Sequence, residues 1–217
     1  MKKTEKRKLF IGVGFLAVFV LWTALVSLVD VRIIGPRESS VGFAALNGYV
    51  HQCIGVNMTL YTITDWLGLI PVGVAFGFAI LGLLQWVKRK SLLKVDRSLF
   101  VLGGFYIVVL AVYIFFEFVV INYRPVLIDG YLEASYPSST TMLVMCIMPT
   151  AMMRLCARIK CKALRSGVFL GIVAFIAFMV IGRLVSGVHW LSDIIGGALI
   201  SVGLVIMYQC LNEKICR

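Results

Sequence analysis

The chain has 217 residues, of which 61% are hydrophobic and 14% charged, and its mean hydropathy is +0.99. That balance excludes a water-soluble globular domain and marks an integral membrane protein. A net charge of +11 would suit a nucleic-acid partner, but the basic residues stand in short clusters beside apolar runs, so they read as topology signals and no nucleic acid is expected.

After the basic opening MKKTEKRK, an uncharged run from Leu9 to Val29 is long enough, at 21 residues, to cross roughly 30 Å of hydrocarbon as a helix. Its length and the sequence TALVSLVD fit a retained first span better than a cleaved signal peptide. From Asp30 to Trp66 runs a connection opening with GPRESS and broken by Asn, Gly, His and Gln. It is too polar for a span and reads as an interfacial helix and re-entrant loop packed at one face of the bundle. His51, within it, is a packing residue or a second catalytic histidine.

Leu67 to Val87 is the second span, closed by Lys88-Arg89-Lys90, and Leu99 to Ile121 the third, interrupted by Glu117. A loop follows, with Arg124-Pro125 at its start and Asp129, Gly130 and Glu133 further on. Tyr136 to Met153 forms a Met-rich fourth span whose methionines serve as packing filler. A basic connection leads to Ser166–Gly182, the fifth span, and Leu191–Leu211 is the sixth, with Gly196-Gly197 for close helix approach. The expected fold is therefore a single all-α integral membrane domain over residues 1–217. It is a six-transmembrane-helix bundle with residues 1–66 supplying the first span and an interfacial segment.

Seventeen of the 21 Lys and Arg residues fall on one side of this layout, leaving Arg32, Arg37, Arg124 and Arg183 on the other. The positive-inside rule puts both termini in the cytoplasm, and places Arg124, Ser138, Arg183 and His189 together on the outer face of a multi-pass plasma or inner membrane protein. Only Cys53 among the six cysteines lies in an outer segment, so no extracytoplasmic disulfide is expected. Two histidines and no close Cys pair give no metal-ligand spacing, and neither metal nor cofactor is expected.

Gly182 to Asp193, GRLVSGVHWLSD, concentrates the chemistry. With a helix starting at Trp190, His189 and Asp193 fall near one face of its first turn, so the carboxylate is placed to hold the imidazole in one tautomer. Arg183 adds a permanent fork of donors suited to phosphate oxygens. The three read as a phosphoryl-transfer site, or as polar groups that snorkel to the interface and pair with one another.

Three motifs in order resemble the type 2 phosphatidic acid phosphatase superfamily, which also includes glucose-6-phosphatase and the vanadium haloperoxidases. Arg124-Pro125 resembles the end of its first motif, K-x6-R-P; Pro137-Ser138-Ser139-Thr140 its second, P-S-G-H; and Arg183-x5-His189-x3-Asp193 its third, R-x5-H-x3-D. The resemblance covers about residues 99–211. It implies a membrane lipid phosphatase in which His189 forms a phosphohistidine and Asp193 orients it, with Arg124 and Arg183 holding the phosphoryl oxygens. Ser138, Ser139 and Thr140 would complete the cradle at the start of the fourth span, or cap that helix.

Two positions depart from the family pattern. Glu117 stands where the first motif has lysine, and Thr140 where the second has the histidine that protonates the leaving group. Glu117 is either an ion-pair partner of Arg124, reached through an intermediate group, or a substitute acid. Losing the acid histidine tilts the expected substrate from a lipid monophosphate toward a polyprenyl or other lipid diphosphate, whose leaving group departs more readily. The alternatives are a lipid phosphotransferase and a catalytically weak or silent binder of lipid phosphates.

Overall fold

The computed structural model describes residues 3–216; Lys2 and Arg217, counted above among the topology signals, lie outside them. Six helices or helix pairs are long and apolar enough to cross a membrane, as expected. The helices are α1 (Lys3–Leu28), α2 (Ala44–Ile54), α3 (Met58–Leu67), α4 (Leu69–Arg89), α5 (Arg97–Phe118), α6 (Ser139–Arg158), α7 (Lys162–Val185) and α8 (Leu191–Ile215). A two-stranded antiparallel hairpin, β1 (Arg32–Ile33) and β2 (Ser40–Val41), joins α1 to α2 with Arg32 opposite Val41.

The interfacial segment is shorter than the sequence suggests. The chain from Met58 to Trp66, assigned above to the connection, belongs to α3, and the second span runs from Met58 to Arg89. Gly68 sits in the right-handed helical region, φ −60° and ψ −20°, so α3 leads directly into α4. Asn57 starts α3 by accepting the Leu60 N–H at 2.9 Å, and the Thr62 and Thr64 hydroxyls bond back to the Met58 and Leu60 carbonyls. These self-contained bonds let polar residues sit in a membrane helix.

Two further boundary shifts bear on the site. The third span ends at Phe118 and not Ile121, because Val119 leaves the helical region; Glu117 and Arg124 are thus not on one helix. The fourth begins at Ser139, with Ser138 as its N-cap.

α8 is the central helix, packed by α1, α5 and α6. Phe19, Leu102, Phe105, Met142, Ile200 and Tyr208 form the main apolar core, and Val144, Met148, Ile172 and Met179 a second one between α6 and α7. Phe76, Ile107, Phe118 and Leu170 face outward, as a lipid-bathed surface requires. At the basic end, Lys8 pairs with Glu213 at 2.6 Å, and Arg154 donates to the Ser98 carbonyl, Asn212 and the Tyr208 hydroxyl. At the opposite end, Trp22 donates to the Ser192 carbonyl at 3.1 Å and Thr23 shares a 2.7 Å hydrogen bond with the Tyr136 hydroxyl. Gly196 makes room for that tyrosine: a Cβ there would lie 2.6 Å from the Tyr136 ring. Gly197 admits the Ser138 carbonyl in the same way, so the paired glycines do bring two elements close.

Candidate active site

The site assembles at that second end from three pieces: the outer part of α3, the loop between α5 and α6, and the junction of α7 with α8. The loop is a hairpin. Asp129 and Gly130 both have positive φ, 49° and 81°, in a two-residue turn closed by paired hydrogen bonds between Ile128 and Tyr131. Nearer the bundle, Tyr123 pairs with Ala134, Arg124 N–H donates to the Glu133 carbonyl, and Ser135 N–H to the Asn122 carbonyl. Antiparallel pairing sends Asn122, Arg124, Glu133 and Ser135 to one face, because opposite residues share a side and alternate residues along each strand do too. That face meets the α7–α8 junction.

At the junction, Trp190 is the N-cap of α8, with ψ 154°, so His189 stands just outside the helix. Gly187, two residues earlier, has φ 68°, and a Cβ there would lie 2.0 Å from the Gly55 carbonyl oxygen, leaving no space for a side chain. Asp193 is fully buried at the first turn and accepts from the Trp190 N–H at 2.9 Å, Asn122 Nδ2 at 3.1 Å and Ser192 Oγ at 3.4 Å.

The direct His189–Asp193 contact expected from their spacing does not form. Nδ1 and Oδ2 are 3.9 Å apart, and the Ser135 hydroxyl lies between them, 3.0 Å from Nδ1 and 2.5 Å from Oδ2. The reason is the N-cap: the four-residue spacing brings side chains together only when both residues are helical, and His189 is not. Because the Ser135 proton goes to the carboxylate, its oxygen accepts the Nδ1–H, and Nε2 keeps its lone pair. Nε2 faces Arg124 Nη1 at 3.4 Å. Burial, and after it the Arg124 charge, lowers the His189 pKa from 6.5 to about 4, so the imidazole is neutral at pH 7.

Arg124 and Arg183 are both buried, and Tyr61 of α3 lies against each, its ring centre 4.9 Å from the Arg183 guanidinium carbon and 6.0 Å from that of Arg124. Their counter-charges are the half-exposed Asp65, 3.4 Å from Arg183 Nη2, and Glu133, 3.0 Å from Arg124 Nε. Arg183 also donates to Thr64 Oγ1 at 3.4 Å, while its Nε, buried, bonds to nothing. The arrangement is two converging guanidinium forks beside an uncharged imidazole nitrogen, suited to a tetrahedral oxyanion.

The remaining candidates divide. Ser138 takes the capping role: its hydroxyl oxygen accepts the Thr141 N–H and its own N–H donates to the Asp193 carbonyl, fastening α6 to α8. Ser139 and Thr140 are half-buried in the first turn of α6, where Ser139 shares a small pocket with Glu117 and Ser135. Arg124 finds its ion-pair partner in Glu133, not Glu117. His51 packs edge-on against Trp190, with ring centres 5.3 Å apart, and burial lowers its pKa; this is the packing reading. Ser135, Asn122, Glu133, Tyr61 and Asp65 are parts of the site that the motifs do not mark. Among the described residues no group of three or more His, Cys, Asp or Glu is placed to hold a metal.

Residues 73–216 match the sequence model of the PAP2 superfamily. Among solved structures, the chain resembles one described as the first transmembrane PAP2 type phosphatidylglycerolphosphate phosphatase, from Bacillus subtilis, with 18% identity and a TM-score of 0.55. That match covers 95% of this chain and 98% of the other. No curated protein matches. At this identity the structural likeness is one of fold.

Proposed function

This chain belongs to the PAP2 superfamily, and from that premise we propose that it is a membrane lipid phosphatase acting through a phosphohistidine on His189, with a lipid diphosphate as its preferred substrate. The observation that carries the reading is the approach of His189 Nε2, stripped of its proton, to Nη1 of the buried Arg124. A phosphoryl group held by Arg124 and Arg183 would present its phosphorus to that lone pair.

In the first step the Nε2 lone pair bonds to phosphorus while the bond to the bridging oxygen breaks, its electron pair leaving on the lipid oxygen. In the second, water attacks phosphorus, the N–P electron pair returns to Nε2, and inorganic phosphate leaves with the water's oxygen and protons. Arg124 and Arg183 hold the charge that spreads over the non-bridging oxygens in both transition states. Threonine at position 140, where the family pattern has the acid histidine, holds its proton at neutral pH. A lipid monophosphate leaves from a diphosphate without needing that proton, which supports the diphosphate preference. The site lies at the end of the bundle opposite the basic clusters, which supports an extracytoplasmic site, cytoplasmic termini and residence in the plasma or inner membrane.

The test is phosphate release by purified protein in detergent from a polyprenyl diphosphate and from phosphatidate, with His189→Ala alongside. Faster release from the diphosphate, absent in the variant, is the expected result. Equal or faster release from the monoester, the class named for the Bacillus subtilis neighbour, overturns the preference. Phosphoryl transfer to an alcohol in place of water identifies a phosphotransferase. Binding of both lipids with no turnover above His189→Ala identifies a silent binder.

A further inference from the structure

We propose that Ser135 is a positioning residue that joins His189 to Asp193 and sets the imidazole tautomer in place of a direct histidine–carboxylate bond. The catalytic part of this inference rests on the phosphohistidine reading above. The structural part does not.

The geometry leaves the hydroxyl little choice. The imidazole and carboxylate are 3.9 Å apart, too far to bond, and Ser135 Oγ is within reach of both. All three side chains are buried, so no bulk water competes for the contact. Asp193 already accepts from Trp190, Asn122 and Ser192, which fixes the carboxylate on α8 and keeps it from turning toward the ring. Ser135 is fixed from the other side. Its N–H is bonded to the Asn122 carbonyl, and the next residue, Tyr136, is held by Thr23 and seated on Gly196. The serine is thus clamped between two rigid supports with one proton to give and one lone pair to receive.

That polarity decides the tautomer. The hydroxyl gives its proton to Asp193 and accepts from Nδ1–H, which leaves Nε2 as the bare nitrogen facing Arg124. Free imidazole side chains in water favour the other tautomer, with the proton on Nε2, the form that has no lone pair for phosphorus. When Nε2 bonds to phosphorus the ring acquires a positive charge. The hydroxyl dipole, aligned by the carboxylate, then points its negative end at that charge. No proton moves along the chain in either step.

Among the described residues Ser135 Oγ is the acceptor hydrogen-bonded to Nδ1, and alanine in its place removes it. Because Arg124 and Arg183 are untouched, substrate binding should survive while attack slows. We expect kcat for Ser135→Ala to fall roughly 10- to 100-fold, the usual cost of removing a histidine's outer partner, with KM within about threefold. Ser135→Thr keeps the hydroxyl and should recover most of the loss.

A readout independent of turnover is 15N NMR of histidine-labelled protein in lipid, with His189→Gln as the assignment blank for a chain that has two histidines. The intact protein should show His189 protonated on Nδ1 alone, and Ser135→Ala a mixture or the reverse. An unchanged Nδ1–H tautomer in Ser135→Ala overturns the proposal, whatever the activity. So does kcat within twofold of the parent in an enzyme that His189→Ala inactivates. If His189→Ala keeps full turnover, the phosphohistidine reading falls, and the NMR result alone then judges Ser135.

Discussion

Asp65 Oδ1 stands 3.4 Å from Nη2 of Arg183, an exposed carboxylate set on an almost wholly buried guanidinium. With Arg183 in the phosphate-holding role proposed for it, an anionic headgroup and Asp65 would compete for one cation. Asp65→Asn should tighten binding of inorganic phosphate and lower KM several-fold, with the larger effect on the more highly charged substrate. Inhibition constants for phosphate in the two proteins check this; a weaker phosphate affinity in the variant would show that Asp65 organises Arg183 and does not compete with the ligand.

His189 gives the protein a dated response to acid. Its pKa is lowered to about 4 in the folded chain, whereas an unfolded histidine titrates near 6.5. Between these values the unfolded state binds the extra proton, so stability is full above about pH 6.5 and declines as pH falls toward 4. The decline from this residue approaches about 3 kcal/mol. His189→Gln should flatten that part of the stability curve. The acid limb of kcat/KM, read on a substrate whose own ionisation is complete, should lie below about pH 5.

The missing acid can be put back. The Thr140 methyl faces Gly68 at the α3–α4 junction, where an added Cβ would lie 3.6 Å from it. Thr140→His should raise turnover of phosphatidate by roughly 10- to 100-fold and leave the diphosphate nearly unchanged. Glu117→Gln should leave both rates within about twofold, since Arg124 is paired with Glu133; a loss of turnover without loss of folding would instead mark Glu117 as a substitute acid.

Gly196→Ala tests the seat beneath Tyr136. Its new methyl would meet the ring at 2.6 Å, and overpacking of this kind costs about 1–3 kcal/mol. Thermal unfolding in detergent should shift down, and activity should fall with it because Ser135 is the adjoining residue.

The six spans were legible because uncharged runs of the right length have no other stable home, and the third motif marked Arg183, His189 and Asp193 by spacing. Three things were not. The polar residues of α3 read as a connection, since Asp65 and three threonines lower its hydropathy; the bonds of Thr62 and Thr64 back to the helix are visible only in three dimensions. The 189–193 spacing suggested direct contact although a helix starting at Trp190 already leaves His189 outside it, and a residue before the N-cap does not follow the four-residue geometry of the helix. Ser135 does carry a signal in the sequence. Asp129-Gly130 is a strong hairpin dipeptide, and counting outward from it pairs Arg124 with Ser135. The structure offsets that register by two, pairing Arg124 with Glu133, and an offset of two leaves every side chain on the same face.

Asn47 of α2 is wholly buried, donating to the Gly42 carbonyl and Ser192 Oγ and accepting the Ser192 N–H. The segment between the first two spans is therefore bolted to the central helix by bonds that lifting it would break all at once. It behaves as masonry, not as a door. A substrate bound for His189 would then enter along the flank of the bundle, past the half-exposed carboxylates of Asp65 and Glu133.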